Sequence, residues 1–122
     1  MNYAGPERRK HPRINVNFIV SYRILDDEDT ADLSQTKNIS QGGMLLTTNR
    51  HFNSGTFIKM FIRVPLVQNK LMLIGKVTDS KEVVKGLIYE TRISFYNLEE
   101  EMEKVLKETV EAFLKSRSRK KI

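Results

Sequence analysis

Ile14-Asn15-Val16-Asn17-Phe18-Ile19-Val20-Ser21-Tyr22-Arg23-Ile24 is the stretch that decides the fold. Ile14, Val16, Phe18, Val20, Tyr22 and Ile24 alternate with Asn15, Asn17, Ser21 and Arg23, and a period of two is that of a strand with one dry and one wet face. The pattern predicts one half-buried strand over 14–24. Outward from it, strand-like runs stand at 32–37, 44–48, 57–64, 71–78 and 86–95, parted by turns such as Asn53-Ser54-Gly55 and Gln68-Asn69. Six short strands at this spacing predict a mainly β chain, folded as a small six-stranded antiparallel barrel, closed or nearly so.

One helix follows. Leu98, Met102, Val105, Leu106, Val110 and Phe113 recur three and four apart, while Glu99, Glu100, Glu101, Glu103, Lys107 and Glu111 take the other face. Asn97 with Glu100 reads as a capping box, and the early glutamates suit the positive end of the helix dipole. Too few heptads are sustained for a coiled coil, so the apolar stripe is expected to pack on the barrel.

Composition sets the outer limits. At 122 residues the chain is one domain with a modest core. It has no cysteine, so disulfides and thiolate metal sites are excluded, and its two histidines, His11 and His51, stand in separate polar contexts that argue against a catalytic metal. The N-terminus lacks an apolar h-region, and the longest apolar stretch, 57–67, is broken by Lys59, Arg63 and Pro65. The expectation is a cytoplasmic protein with neither signal peptide nor membrane span. The net charge of +6 is concentrated at the ends, in Arg8, Arg9, Lys10 and Arg13 and in Lys115, Arg117, Arg119, Lys120 and Lys121. The basic tail reads as a solvated, disordered end.

Two polar clusters carry chemistry. Arg8-Arg9-Lys10-His11-Pro12-Arg13 supplies guanidinium forks that match phosphate oxygens and the O6/N7 edge of guanine, and that can lie flat on a purine. Asn38-Ile39-Ser40-Gln41-Gly42-Gly43 supplies short polar side chains, free backbone N–H groups, and two glycines that let the backbone approach a ligand. Together they read as a site for a guanine nucleotide carrying phosphates. An RxxxR pair arises by chance about 0.7 times among nine arginines in this length, whereas N-x-S-x-x-G arises only about 0.03 times.

At these residues the chain resembles the PilZ domain family, whose members bind cyclic di-GMP through an RxxxR stretch ahead of a small β-barrel and a [D/N]-x-S-x-x-G loop. The matches are Arg9 and Arg13, then Asn38, Ser40 and Gly43, and the resemblance runs from about residue 7 to residue 98. It implies a stand-alone cyclic di-GMP receptor with no cofactor and no enzymatic activity, which signals to a downstream protein by ordering its arm. The expected organisation is a flexible ligand-binding arm at 1–13, the barrel at 14–97, the helix at 98–115 and the basic tail at 116–122. The implied ligand contacts are Arg8, Arg9, Arg13, Asn38, Ser40, Gly42 and Gly43. An arginine at the position of Arg8 goes, in that family, with two mutually intercalated ligand molecules per domain.

Two residues depart from the family pattern. Asn38 stands where many members have Asp, and accepts from guanine without charge assistance. Arg92 stands where a Gly is frequent; if that strand lines the base pocket, Arg92 either stacks on a guanine or crowds it.

Two other classes compete. Small β-barrels also bind nucleic acid through basic grooves and aromatic platforms; here Phe57 and Phe61 share one face of their strand but stand alone. A degenerate PilZ-like module that binds only protein would show damaged motifs, and these are intact. For an enzyme there is neither a nucleophile elbow nor a P-loop nor a dinucleotide fingerprint, and the acidic runs at 26–29 and 99–103 read as a turn and a solvated helix face.

Overall fold

The computed structural model describes residues 12–27, 31–65 and 67–120, the last four of these by their backbone alone. Seven strands and one helix follow in order: β1 (Arg13–Ile14), β2 (Ile19–Ile24), β3 (Asp32–Ser40), β4 (Gly43–Thr48), β5 (Phe57–Ile62), β6 (Leu71–Val84), β7 (Ile88–Phe95) and α1 (Glu100–Lys120). Strands β3, β2, β5, β6, β7 and β4 are neighbours in that order, and a β3–β4 pairing returns the sheet on itself. Every pairing is antiparallel. The result is the expected closed six-stranded barrel, which leaves no open sheet edge along the ring.

The single strand expected over 14–24 is instead two, lying along the same side of β3. Ile14 pairs with Ile39 and Ile19 with Gln35, so five steps on one strand face four on the other. The extra residue is absorbed by a buried threonine. Thr36 Oγ1 donates to the Val16 carbonyl at 2.6 Å and accepts the Phe18 N–H at 2.9 Å, while Asn17 Nδ2 donates to the Thr36 carbonyl at 2.8 Å. These side chains replace ladder bonds that the bulge removes, which keeps buried backbone groups paired. Ile14, Phe18, Val20 and Tyr22 still point inward, as the alternation predicts.

The interior is filled by Val20, Leu46, Ile58, Met60, Ile62, Leu73, Val77 and Ile93, all nearly inaccessible. Each such side chain contributes about 1.5–3 kcal/mol over its exposed state. Helix α1 packs on β1 and β3, burying Leu106, Thr109 and Val110, with the Phe113 ring set edge-on to Phe18 at 5.6 Å between centroids. The apolar stripe is therefore core, as expected.

The helix boundaries differ from the expectation. Asn97 has φ of 53°, a left-handed turn that Asn tolerates, and the first helical bond runs from Glu103 N–H to the Glu99 carbonyl at 2.9 Å. Asn97 is thus a turn residue three positions before the helix rather than its cap. The helix also continues through Lys120, over positions expected to be a disordered tail. Strand β6 runs six residues beyond the expected end at Thr78, making with β7 a hairpin that closes at Gly86, whose φ is +71°.

Candidate functional site

Strand β3 carries the start of the Asn-Ser-Gly motif and pairs with Arg13, the last residue of the arginine motif. Its last residue, Ser40, pairs with Arg13 of β1, and Ile39 pairs with Ile14. Both isoleucines are fully buried, so the short β1 ladder is anchored by the core. Arg13, the last residue of the arginine stretch, is thereby a neighbour of the Asn-Ser-Gly loop. Arg8 and Arg9, the expected front half of the site, lie outside the described residues.

The loop is tighter than the sequence suggests. Only Gln41 and Gly42 separate β3 from β4. Ser40 Oγ accepts the Gly42 N–H at 3.1 Å and the Gly43 N–H at 3.2 Å, and reaches the Gly43 carbonyl at 3.4 Å. The backbone N–H groups expected to be free are therefore held by the serine, whose own side chain is buried. The Gly42 carbonyl accepts the Phe95 N–H at 2.9 Å, which ties the loop to the end of β7. At Gly43 a Cβ would overlap the Ile93 carbonyl oxygen. That glycine is needed by the β4–β7 contact itself. Ser40, Gly42 and Gly43 build the loop.

The open chemistry lies on the outer wall. Asn38 pairs with Leu45, Leu45 with Arg92, and Arg92 with Asp79, so these four positions form one row across β3, β4, β7 and β6. Their sequence neighbours Ile39, Met44, Leu46, Thr91 and Ile93 are buried on the inner side, so the row faces outward. At the usual strand spacing Arg92 sits about 10 Å from Asn38, with Leu45 between them. Asn38, Leu45 and Arg92 are half-buried, and no hydrogen bond or ion pair joins the side chain of Asn38 or Arg92 to another described residue. Nearby Lys37, at the β3 bulge, is already paired with Glu90 at 2.8 Å. The wall thus presents an amide, an apolar side chain and an unpaired guanidinium beside Arg13, a set suited to the flat face and polar edge of a base next to an anion.

Arg92 was legible as a residue but not as a neighbour of Asn38. Two register shifts, one in β3 and one in β6, bring Asn38, Leu45, Arg92 and Asp79 into line, and no periodicity signals them. Among the described residues no cluster of His, Asp or Glu could hold a metal ion. No described helix is long and apolar enough to cross a membrane. Phe57 and Phe61 do not stand alone as expected. The Phe57 ring meets Tyr96 edge-on at 5.0 Å, and Lys76 and Lys59 lie over Phe57 and Phe61 at 5.7 and 5.6 Å.

The family model of the PilZ domain matches residues 7–112, and the chain belongs to the PilZ domain family. PilZ domains are binding and receptor modules. Among solved structures it is similar to the Bacillus subtilis inhibitor of motility MotI/DgrA, at 17% identity and TM-score 0.72, covering 90% of this chain and 53% of that one. It thus spans about half the length of that relative. It is also similar to the PilZ domain with c-di-GMP of YcgR from Escherichia coli, at 14% identity and TM-score 0.68, covering 93% of this chain and 98% of the other. A third likeness is to a tetrameric PilZ protein of Xanthomonas campestris self-assembled via a helical bundle, at 11% identity and TM-score 0.68, with 88% and 89% covered. No curated protein matches the chain.

Proposed function

We propose that the chain is a cyclic di-GMP receptor that holds its ligand against the outer wall of β3, β4 and β7, beneath the arginine-bearing arm. The observation that carries this reading is the pairing of Arg13 with Ser40, which sets the second arginine of RxxxR against the N-x-S-x-x-G loop. Family membership supports it, as does the likeness to a PilZ domain whose structure contains the dinucleotide.

In this reading Arg9 and Arg13 take guanine O6/N7 and the phosphates, Asn38 meets a base edge, and Arg92 offers its guanidinium plane to a purine. Ser40, Gly42 and Gly43 hold the loop in shape. Arg8 gives the arm a third guanidinium, and with Lys10 it offsets the four phosphate charges of two intercalated ligands. The ligand is bound and released unchanged, without cofactor or catalysis. In the cytoplasm, arm ordering over the ligand alters the surface shown to a protein partner.

Titration calorimetry with cyclic di-GMP tests this, with cyclic di-AMP and GTP as controls. The expected result is micromolar or tighter binding, with discrimination against adenine of about 1–3 kcal/mol per bidentate pair. Two ligands per chain are expected, falling toward one for Arg8→Ala. Arg9→Ala and Arg13→Ala are each expected to weaken binding by about tenfold to a few hundredfold with the β circular dichroism unchanged. Equal binding of cyclic di-AMP overturns the guanine readout, and no heat with any ligand overturns the receptor reading.

A further inference from the structure

No Asp or Glu occurs from residue 33 to residue 78, a span that holds Lys37, Arg50, Lys59, Arg63, Lys70 and Lys76. It supplies most of β3, all of β4 and β5, and the first half of β6. Folding gathers part of this span on the wall formed by β3, β2, β5 and β6. Leu33 pairs with Ser21, Ser21 with Phe61, and Phe61 with Met72, so these four form one outward row. Leu33 is 74% exposed, and Ile19 and Met72 are 49% and 42% exposed. A groove of about 400 Å³ lies on that row, with Phe18, Ile19, Leu33 and Phe61 as its apolar lining and Arg63 and Lys70 as its cationic lining.

The chemistry of the groove selects its occupant. Three exposed aliphatic side chains in one patch favour apolar contact, since such patches mark interaction surfaces. The cationic part of the lining, with Lys59 over the neighbouring Phe61 ring, calls for carboxylates. A nucleic acid would satisfy the charge but leave the exposed aliphatic side chains unused, and base stacking would compete with Lys59 and Lys76, which lie over Phe61 and Phe57. The open surfaces are Leu33, Ile19 and Met72, which match aliphatic or aromatic side chains of a protein.

We infer that the β3–β2–β5–β6 wall is a docking groove for an acidic protein segment that inserts a large apolar side chain beside Leu33 and Phe61 and sets flanking carboxylates on Arg63 and Lys70. This does not depend on the ligand reading. The groove centres on β2 and β5 and the Asn38–Arg92 row on β4 and β7, which lie across the ring from each other, so dinucleotide and partner can be held together.

Display selection from a random linear peptide library on the full chain tests the inference, with synthetic copies of the enriched peptides and a uridine oligonucleotide as probes. The expected result is peptides that join Asp or Glu to Leu, Phe or Trp, and that lose affinity about tenfold or more on Leu33→Asp or Arg63→Glu. Both positions are exposed, so the variants are expected to keep their melting temperature; Ser21→Trp, which fills the groove floor, is the independent second variant. Enriched peptides without acidic character, binding indifferent to all three substitutions, or an oligonucleotide that displaces the peptides would each overturn the inference.

Discussion

Ser40 and Asn38 stand two residues apart on one strand and do opposite work. Ser40 points into the turn, and its hydroxyl is used up by the amides of Gly42 and Gly43. Asn38 points outward, and its amide is bound to no described residue. A single motif therefore mixes residues that make the loop with a residue that the loop displays. Altering the first kind is expected to cost stability, and altering the second to cost affinity alone.

Gly43→Val is the severest way to break that division, because the new Cβ and its methyls would press on the Ile93 carbonyl of β7, which is backbone and cannot rotate away. A loss of about 2–4 kcal/mol is expected in urea or thermal unfolding. A stable Gly43→Val that merely loses ligand would mean the glycine serves the ligand after all. Thr36→Val asks the same of the bulge that carries β1. It strands the Val16 carbonyl and the Phe18 N–H, and an expected loss of about 1–3 kcal/mol shows whether a buried hydroxyl sustains the arm's anchor.

The Ser40→Ala and Asn38→Ala pair sharpens the comparison directly. Ser40→Ala is expected to cost about 1 kcal/mol of stability. Asn38→Ala and Arg92→Ala are each expected to stay within about 0.5 kcal/mol of wild type while weakening cyclic di-GMP by about tenfold. Reversed outcomes would exchange the two roles.

The smallest effect is a control far from the loop. Burial raises the Tyr22 phenol above its ordinary value, and Asp32 adds to the rise, against opposing contributions from Asn49 and Arg50. The neutral form is then the one favoured by folding, so this contribution is complete below about pH 10 and is lost as pH climbs through the raised folded value. Unfolding curves above pH 10 are expected to lose less stability with pH in Tyr22→Phe than in wild type. Equal slopes would show that the phenol does not titrate with unfolding.

The barrel was legible because alternation reports which way a side chain faces, and facing is what a core selects. Ile14 to Tyr22 kept their inward parity even where the strand broke, since Thr36 repaired the ladder without moving the apolar residues. What alternation does not report is a hydrogen-bond partner. The break at 15–18 therefore passed unseen. The far half of β6 was hidden for a different reason: Lys81, Glu82, Val83 and Val84 are exposed and carry no inside–outside contrast. At the candidate site, residue types pointed to Arg13, Asn38 and Arg92. Their placement in line depends on bulges, and the engagement of Ser40 depends on a turn only two residues long.

The β1 ladder has one more consequence. Among the described residues the β1–β3 ladder joins Arg13 with Ser40 and Ile14 with Ile39, and one of those partners is the serine that shapes the loop. Free energy spent on one is felt by the other. Whatever draws Arg13 toward an anion pulls on the residue that fixes Gly42 and Gly43, so the two motifs share one thermodynamic account. In a double-mutant cycle, Arg13→Ala and Ser40→Ala will not add, and the coupling, of about 0.5–3 kcal/mol for residues in contact, measures how far arm and loop act as a single clasp.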